Sequence, residues 1–294
     1  MNYIQSILLG IIEGITEFFP ISSTGHMIIA ASIMGILEKK ITKLFLVTVQ
    51  FGAVLSVFVL YRKQFFFQKL DFYLKILIAS FPIGFFGLLL RNHNLFLENI
   101  PIVAISLLIG GIILLKVENF YEKKTPNNRS SRITYSKAFI IGLCQCMALI
   151  PGVSRSAATI VACMLQNINR RKSIEFSFFL SVPVISMATC KKLFDSYSQF
   201  SDFHFPFWIP KFYRFFTGKL FLQEIGLLVI GNLVSFVTGM IAIKCFITYL
   251  KKNNFKLFGY YRIILGIFFI VIHYLNPFEK KDFLKIFSEF RNVK

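Results

Sequence analysis

The sequence predicts an all-α polytopic membrane protein with about six transmembrane helices and two re-entrant broken-helix hairpins in an inverted repeat. Three observations carry that prediction. The 294 residues are 55% hydrophobic and include 37 Phe, and apolar runs such as 72–90, 102–117 and 257–275 have the length a helix needs to cross about 30 Å of hydrocarbon. The 33 Lys and Arg outnumber the 14 Asp and Glu and lie almost entirely between those runs, which suits anionic lipid headgroups and not a nucleic-acid surface. Two apolar segments, 3–37 and 136–166, are interrupted in their middles.

In chain order, 3–37 is too long for one span and too short for two of about 20 residues. Pro20 and Gly25 break it, so it reads as a re-entrant hairpin whose irregular backbone must line a protein cavity. No cleavable signal peptide is expected, because the N-terminus lacks a basic region and two carboxylates interrupt its apolar run. Spans follow near 44–61, 72–90 and 100–117, then a linker over 118–135 containing Thr125-Pro126-Asn127-Asn128. The pattern recurs: a hairpin over 136–166 broken at Pro151-Gly152, spans near 174–192, 220–250 and 257–275, and a tail over 276–294. The chain is thus one membrane domain, with repeat one over 1–117 and repeat two over 136–275. The loop 196–219, which holds Trp208, is expected at an interface.

Local matches support the repeat. Gly10-x-x-Glu13 aligns with Gly142-x-x-Gln145, and, with one residue gapped, Pro20 aligns with Pro151 and Ser23 with Ser154. A hairpin returns to its own side and three spans cross over, so the second hairpin enters from the opposite face. Two broken segments meeting near the midplane mark the site of such proteins. Basic residues are denser in the short loops on the side away from the N-terminus, which places both termini outside the cytoplasm. Cys144, Cys146, Cys163, Cys190 and Cys245 all sit in apolar segments without metal spacing and read as small buried hydrophobes.

Chemistry concentrates at the two breaks. The first carries Glu13, Glu17, Ser22, Ser23, Thr24, Gly25 and His26, although each ionisable group at the bilayer centre costs about 2.5–3.5 kcal/mol on insertion scales. Glu13 and Glu17 are four apart and share a helical face, where two like charges call for a cation between them. Something anionic, or a metal, belongs at this break. The Ser22–Gly25 turn offers hydroxyls and backbone N–H groups of the kind that hold an oxyanion. The second break carries Ser154, Arg155, Ser156 and Thr159. Arg155 sits mid-segment, whereas Lys75 and Lys244 lie near span ends and can snorkel. A guanidinium matches a phosphate or carboxylate bidentately, so the cluster reads as a phosphate clamp or, more blandly, as a structural ion pair between Arg155 and Glu13 or Glu17. Serines and threonines at such positions also cap helices. Glu118, Glu122 and Glu175 are expected solvated or paired with Lys, and Gln50 faces a cavity or bonds between helices.

With both breaks in view, the sequence resembles the undecaprenyl-diphosphate phosphatase family, membrane enzymes linked to bacitracin resistance. The resemblance rests on Glu13-Gly-x-Thr-Glu17-Phe-x-Pro-x-Ser-Ser-Thr-Gly-His26, on Pro151-Gly-x-Ser-Arg155-Ser-x-x-Thr159 and on Glu175-Phe-Ser-Phe-x-x-x-x-x-Pro183. One departure is Ala157, where the family pattern implies glycine. The resemblance implies hydrolysis of undecaprenyl diphosphate in the bacterial cytoplasmic membrane, at a site opening to the extracytoplasmic side, with a divalent cation (Mg2+ or Ca2+) as cofactor. On that reading Arg155 stabilises charge with Ser154, Ser156 and Thr159, and Ser22, Thr24 and Gly25 help to bind substrate. Ser23 is the nucleophile with Glu17 or His26 as base, a metal-bound water or His26 itself being the alternatives, and Glu13 and Glu17 hold the metal. Expected partners are the polyprenyl diphosphate, anionic membrane lipids and a second copy of the chain, with no nucleic acid. The alternative function is a polyprenyl-phosphate transporter or flippase of the same architecture.

Overall fold

The computed structural model describes residues 1–89, 100–123, 132–199 and 219–275, and the regular elements among them are all helical. Helix α1 (Tyr3–Thr16) starts on a capping box in which Asn2 and Gln5 exchange 2.9 Å hydrogen bonds. It ends at Thr16, before Pro20 can act, with Glu17 as its last cap. The break therefore covers 17–22, and Gly25 belongs to helix α2 (Ser23–Ile33) instead of interrupting it. Next come α3 (Lys40–Leu60), a short α4 (Arg62–Phe66), α5 (Leu70–Leu89) and α6 (Ile100–Lys123). The second half begins with α7 (Tyr135–Gln145), which tightens into a 3-10 turn over Cys146–Leu149. It continues with α8 (Arg155–Leu165), α9 (Arg170–Gln199), α10 (Lys219–Leu250) and α11 (Lys256–Leu275). Helices α3, α5, α6, α9 and α10 are long and apolar enough to cross a membrane. Helix α11, 20 residues long, lies where the sixth span is expected.

Several expected boundaries move, for identifiable reasons. Helix α6 runs six residues past Val117 because Glu118 and Tyr121 are buried. Glu118 is not solvated: it is fully enclosed and pairs with Arg170. Glu122 pairs with Lys256 at 2.6 Å, and Glu175 with Arg171 and Lys172 at 2.9 and 3.0 Å. Residues 124–131 of the expected linker, the loop around Trp208 and the tail 276–294 lie outside the described residues. The Gln50 amide donates to Leu46 O within its own helix, at 3.2 Å, and so bridges no helices. Among the cysteines Cys163 alone is buried; Cys190 and Cys245 are exposed, where a weakly polar thiol tolerates lipid.

Exchanging the two halves maps the most extensive helix contacts onto one another. Helix α1 packs along α10 as α7 packs along α5, and α3 meets α10 as α9 meets α5. The central contacts, α3 with α9 and α6 with α11, map onto themselves. The register is ungapped: 132 residues separate Tyr3 from Tyr135, Ser22 from Ser154, Ser23 from Arg155 and Ile33 from Leu165. This corrects the gapped alignment, since Ser22 and not Ser23 is the counterpart of Ser154. A single offset persists because both second half-helices are 11 residues long and start from the same kind of cap.

Small residues let these helices approach closely, as membrane helices require in the absence of a hydrophobic drive between them. A Cβ on Gly52 would sit 2.2 Å from Asn232 O, and the Gly52 N–H already donates to Asn232 Oδ1 at 2.7 Å. Gly52→Ala should therefore push α3 off α10 and destabilise by about 1–3 kcal/mol. Gly84→Ala, whose Cβ meets nothing within 4 Å, should be neutral or stabilising. Thermal unfolding of both variants in detergent checks the contrast, and equal losses would contradict it.

Candidate active site

Each break closes on a serine with a left-handed backbone. Ser22 has φ 74° and Ser154 φ 70°, a region that a residue with a Cβ enters only when its surroundings enforce it. Each caps the helix that follows: Ser22 Oγ accepts from Gly25 N at 3.3 Å, and Ser154 Oγ from Ala157 N at 3.2 Å. Ala157 is buried and helical, so its extra methyl is accommodated. The caps point the first residues of α2 and α8, Ser23 and Arg155, into the same interior.

There the halves join. Arg155 Nη2 meets Glu17 Oε1 at 3.0 Å, and Ser23 Oγ donates to Glu17 Oε2 at 2.5 Å. Arg155 Nη1 donates to Ser177 O at 3.0 Å. Ser156 Oγ reaches across to Phe19 O at 2.9 Å and contacts Ser154 Oγ at 3.0 Å. Thr159 is held at 2.7 Å by the Ser177 hydroxyl, so it fixes helix α9 and presents no hydroxyl of its own to the centre. Glu13 is fully enclosed, with Glu17, Ser23 and Arg155 as its polar neighbours. Among the described residues both Glu13 oxygens and Arg155 Nε have no hydrogen-bond partner. A buried, unpaired polar atom is costly, so these three are the atoms of the centre suited to a polar ligand.

His26 is turned away from Ser23. Its Nδ1 lies 2.7 Å from Ser22 O and its Nε2 2.7 Å from the Tyr261 hydroxyl, and its ring stacks on Tyr261. A carbonyl can only accept, so Nδ1 carries the proton and Nε2 accepts from Tyr261. The structure thus joins Glu17, Ser23 and Arg155 directly, keeps Glu13 behind them, and sets His26 at the edge with Tyr261. Thr24 is half-buried in the first turn of α2.

Three residues escape the sequence reading. Ser177 is legible only as the middle of Glu175-Phe-Ser-Phe, and Tyr261 carries no signal. Arg262 does carry one: it is a cation inside the apolar run 257–275, as uncommon as Arg155. It does not snorkel but is fully enclosed, and its guanidinium donates to Pro20, Gly152 and Val153 carbonyls at 3.2, 3.1 and 3.0 Å.

A polytopic helical membrane protein with a carboxylate, a hydroxyl and a guanidinium converging on one enclosed centre has the makings of an intramembrane enzyme. Residues 6–268 match the family described as bacitracin resistance protein BacA, and the chain belongs to that family. It is 51% identical over 275 residues to the undecaprenyl-diphosphatase of Flavobacterium psychrophilum, covering 93% of this chain and 97% of the relative. The undecaprenyl-diphosphatases of Flavobacterium johnsoniae and Bdellovibrio bacteriovorus are 50% and 41% identical over the same shares.

Removing one partner of a buried ion pair costs about 3–5 kcal/mol because the other charge is left uncompensated. Glu17→Gln should accordingly lower the unfolding midpoint well below wild type, while Glu17→Gln combined with Arg155→Gln should recover part of the loss. A double-mutant cycle read by thermal unfolding checks this, and strict additivity would contradict the pairing.

Proposed function

We propose that this chain is an integral-membrane undecaprenyl-diphosphatase, which hydrolyses undecaprenyl diphosphate to undecaprenyl phosphate and inorganic phosphate. The lipid carrier is thereby recycled for peptidoglycan synthesis, and a raised level of the enzyme confers bacitracin resistance. The observation that carries the reading is the Ser23–Glu17–Arg155 chain of contacts, closed by a 2.5 Å hydroxyl–carboxylate bond and a 3.0 Å ion pair. The transporter alternative is not favoured, since the relatives are named as hydrolases.

Phosphoanhydride cleavage needs an activated nucleophile and donors aimed at the charge that develops on phosphoryl oxygens. Ser23 Oγ attacks the terminal phosphorus and gives its proton to Glu17 Oε2. The anhydride P–O bond breaks and undecaprenyl phosphate leaves. Water then cleaves the phosphoserine, Glu17 returning its proton to the serine oxygen. A phosphate that draws Arg155 onto itself would gain the unpartnered Nε and release Glu17 Oε1, leaving Oε2 on the serine. His26, whose Nε2 is taken by Tyr261, is the weaker base for Ser23.

The residues fit a divalent cation. Glu13 offers two enclosed oxygens without partners, hard donors of the kind Mg2+ and Ca2+ prefer. No group of three or more His, Cys, Asp or Glu suited to a metal occurs among the described residues. Glu13 and Glu17 would hold the ion. Bound there, it would neutralise phosphate charge. We assign the site to the bacterial cytoplasmic membrane, opening to its extracytoplasmic side. The denser basic short loops opposite the termini put those loops in the cytoplasm and the termini outside.

Purified protein in detergent should release inorganic phosphate from undecaprenyl diphosphate. Arg155→Ala should lower kcat by about 100-fold or more, the scale of losing one charge-stabilising donor. Ser23→Ala should do at least as much; near-complete turnover would remove the covalent serine and leave the clamp standing. Chelator should suppress release, with Mg2+ or Ca2+ restoring it in wild type but not in Glu13→Gln.

A further inference from the structure

The structure assigns to Arg262 the task of clamping the two helix breaks to one another, which makes it a positioning residue for Ser23 and Arg155. Arg262 is the largest fully enclosed side chain among the described residues, and all three of its nitrogens donate to backbone carbonyls. Nη1 bonds Pro20 O in the first break at 3.2 Å. Nη2 bonds Gly152 O and Val153 O in the second, at 3.1 and 3.0 Å. Nε and Nη2 also bond Leu107 O and Ser106 O of helix α6, at 3.4 and 3.2 Å. One planar group therefore ties Pro20 O, two residues before the first serine cap, to Val153 O, immediately before the second.

The surroundings are cut to fit it. A Cβ on Gly110 would lie 2.1 Å from Arg262 Nη2, and one on Gly111 3.1 Å from Arg262 Cβ, so the paired glycines of α6 open the slot that the guanidinium fills. No carboxylate pairs with it among the described residues, which sets it apart from Arg155 and Arg170. Carbonyls alone satisfy it because the breaks supply carbonyls that no helix uses. A lysine has the charge but only a single nitrogen, which cannot span the two breaks as a planar fork does.

The chemical consequence follows from register. Pro20 lies three residues before Ser23, and Val153 two before Arg155, so any slack at Arg262 passes directly to the serine and the guanidinium. A displacement of about 1 Å between reacting groups costs on the order of 100-fold in rate. Since Arg262 reaches no side chain of the centre, that loss should fall on kcat, with KM for the long-chain lipid little changed.

The test compares Arg262→Lys, Arg262→Gln and Gly110→Ala with wild type, in two arms. In the first, hydrogen exchange of the purified proteins in detergent should rise at both breaks together, over 17–23 and 150–156, while the centres of α3 and α9 keep wild-type protection. A rise at one break only, a uniform rise, or none would overturn the clamp. In the second arm, which rests on the phosphatase reading, Arg262→Lys should lose about 100-fold in kcat with KM within a few-fold. Gly110→Ala should move the same way by less. An unchanged kcat in protein that runs monodisperse would overturn the positioning role. If wild type itself releases no phosphate, the function reading fails, and the exchange arm still decides the clamp.

Discussion

A polypeptide that interrupts its helices inside a bilayer strips carbonyls and N–H groups of their partners where no lipid can replace them, and this requirement shapes the centre of the molecule. The two breaks meet it in the same way, each with a serine forced to positive φ that caps the next helix. They also meet it jointly, through Arg262, whose donors take carbonyls from both. The site exists because these solutions bring the second half-helices to a common point.

The internal symmetry then explains how the chemistry is divided. At equivalent register, the first half places Ser23 where the second places Arg155, and Glu13 where the second places Gln145. A pair of carboxylates from each half, facing one another in an enclosed space, would repel strongly. With Gln145 neutral and a cation at 155, the acid pair of one half meets the guanidinium of the other. Glu17 is held by both, through Arg155 and Ser23. The outer ion network of Glu118, Glu122, Arg170 and Lys256 ties the ends of α6, α9 and α11 and takes no part in the centre.

Much of this was legible in the chain. Hydropathy located the spans, and carboxylates and a guanidinium where lipid should be are too costly to be incidental, so Glu13, Glu17 and Arg155 announced themselves. Errors arose where local signals compete with tertiary ones. Pro20 suggested the break, yet α1 stops at Thr16 with Glu17 as its cap, and Gly25, read as a second breaker, lies inside α2. The gapped alignment followed the two prolines, whereas the structural repeat follows the caps. Arg262 is harder to read from sequence than Arg155, because a cation six residues into a long helix resembles one that snorkels.

Composition and pattern by themselves determined the class, the doubled hairpin plan and the residue types gathered at each break, since burial costs and helix periods are properties of short stretches. Only the tertiary structure decided who meets whom: that Ser23 bonds Glu17 while His26 turns to Tyr261, that Thr159 serves Ser177, and that Arg262 bridges the halves. The His26–Tyr261 and Arg262–Pro20 contacts span more than 200 residues of sequence, and no local preference encodes a partner at that distance. Ser23 and Glu17 are close in sequence, but the angle between their two helices, which decides whether they meet, is set by the packing around them.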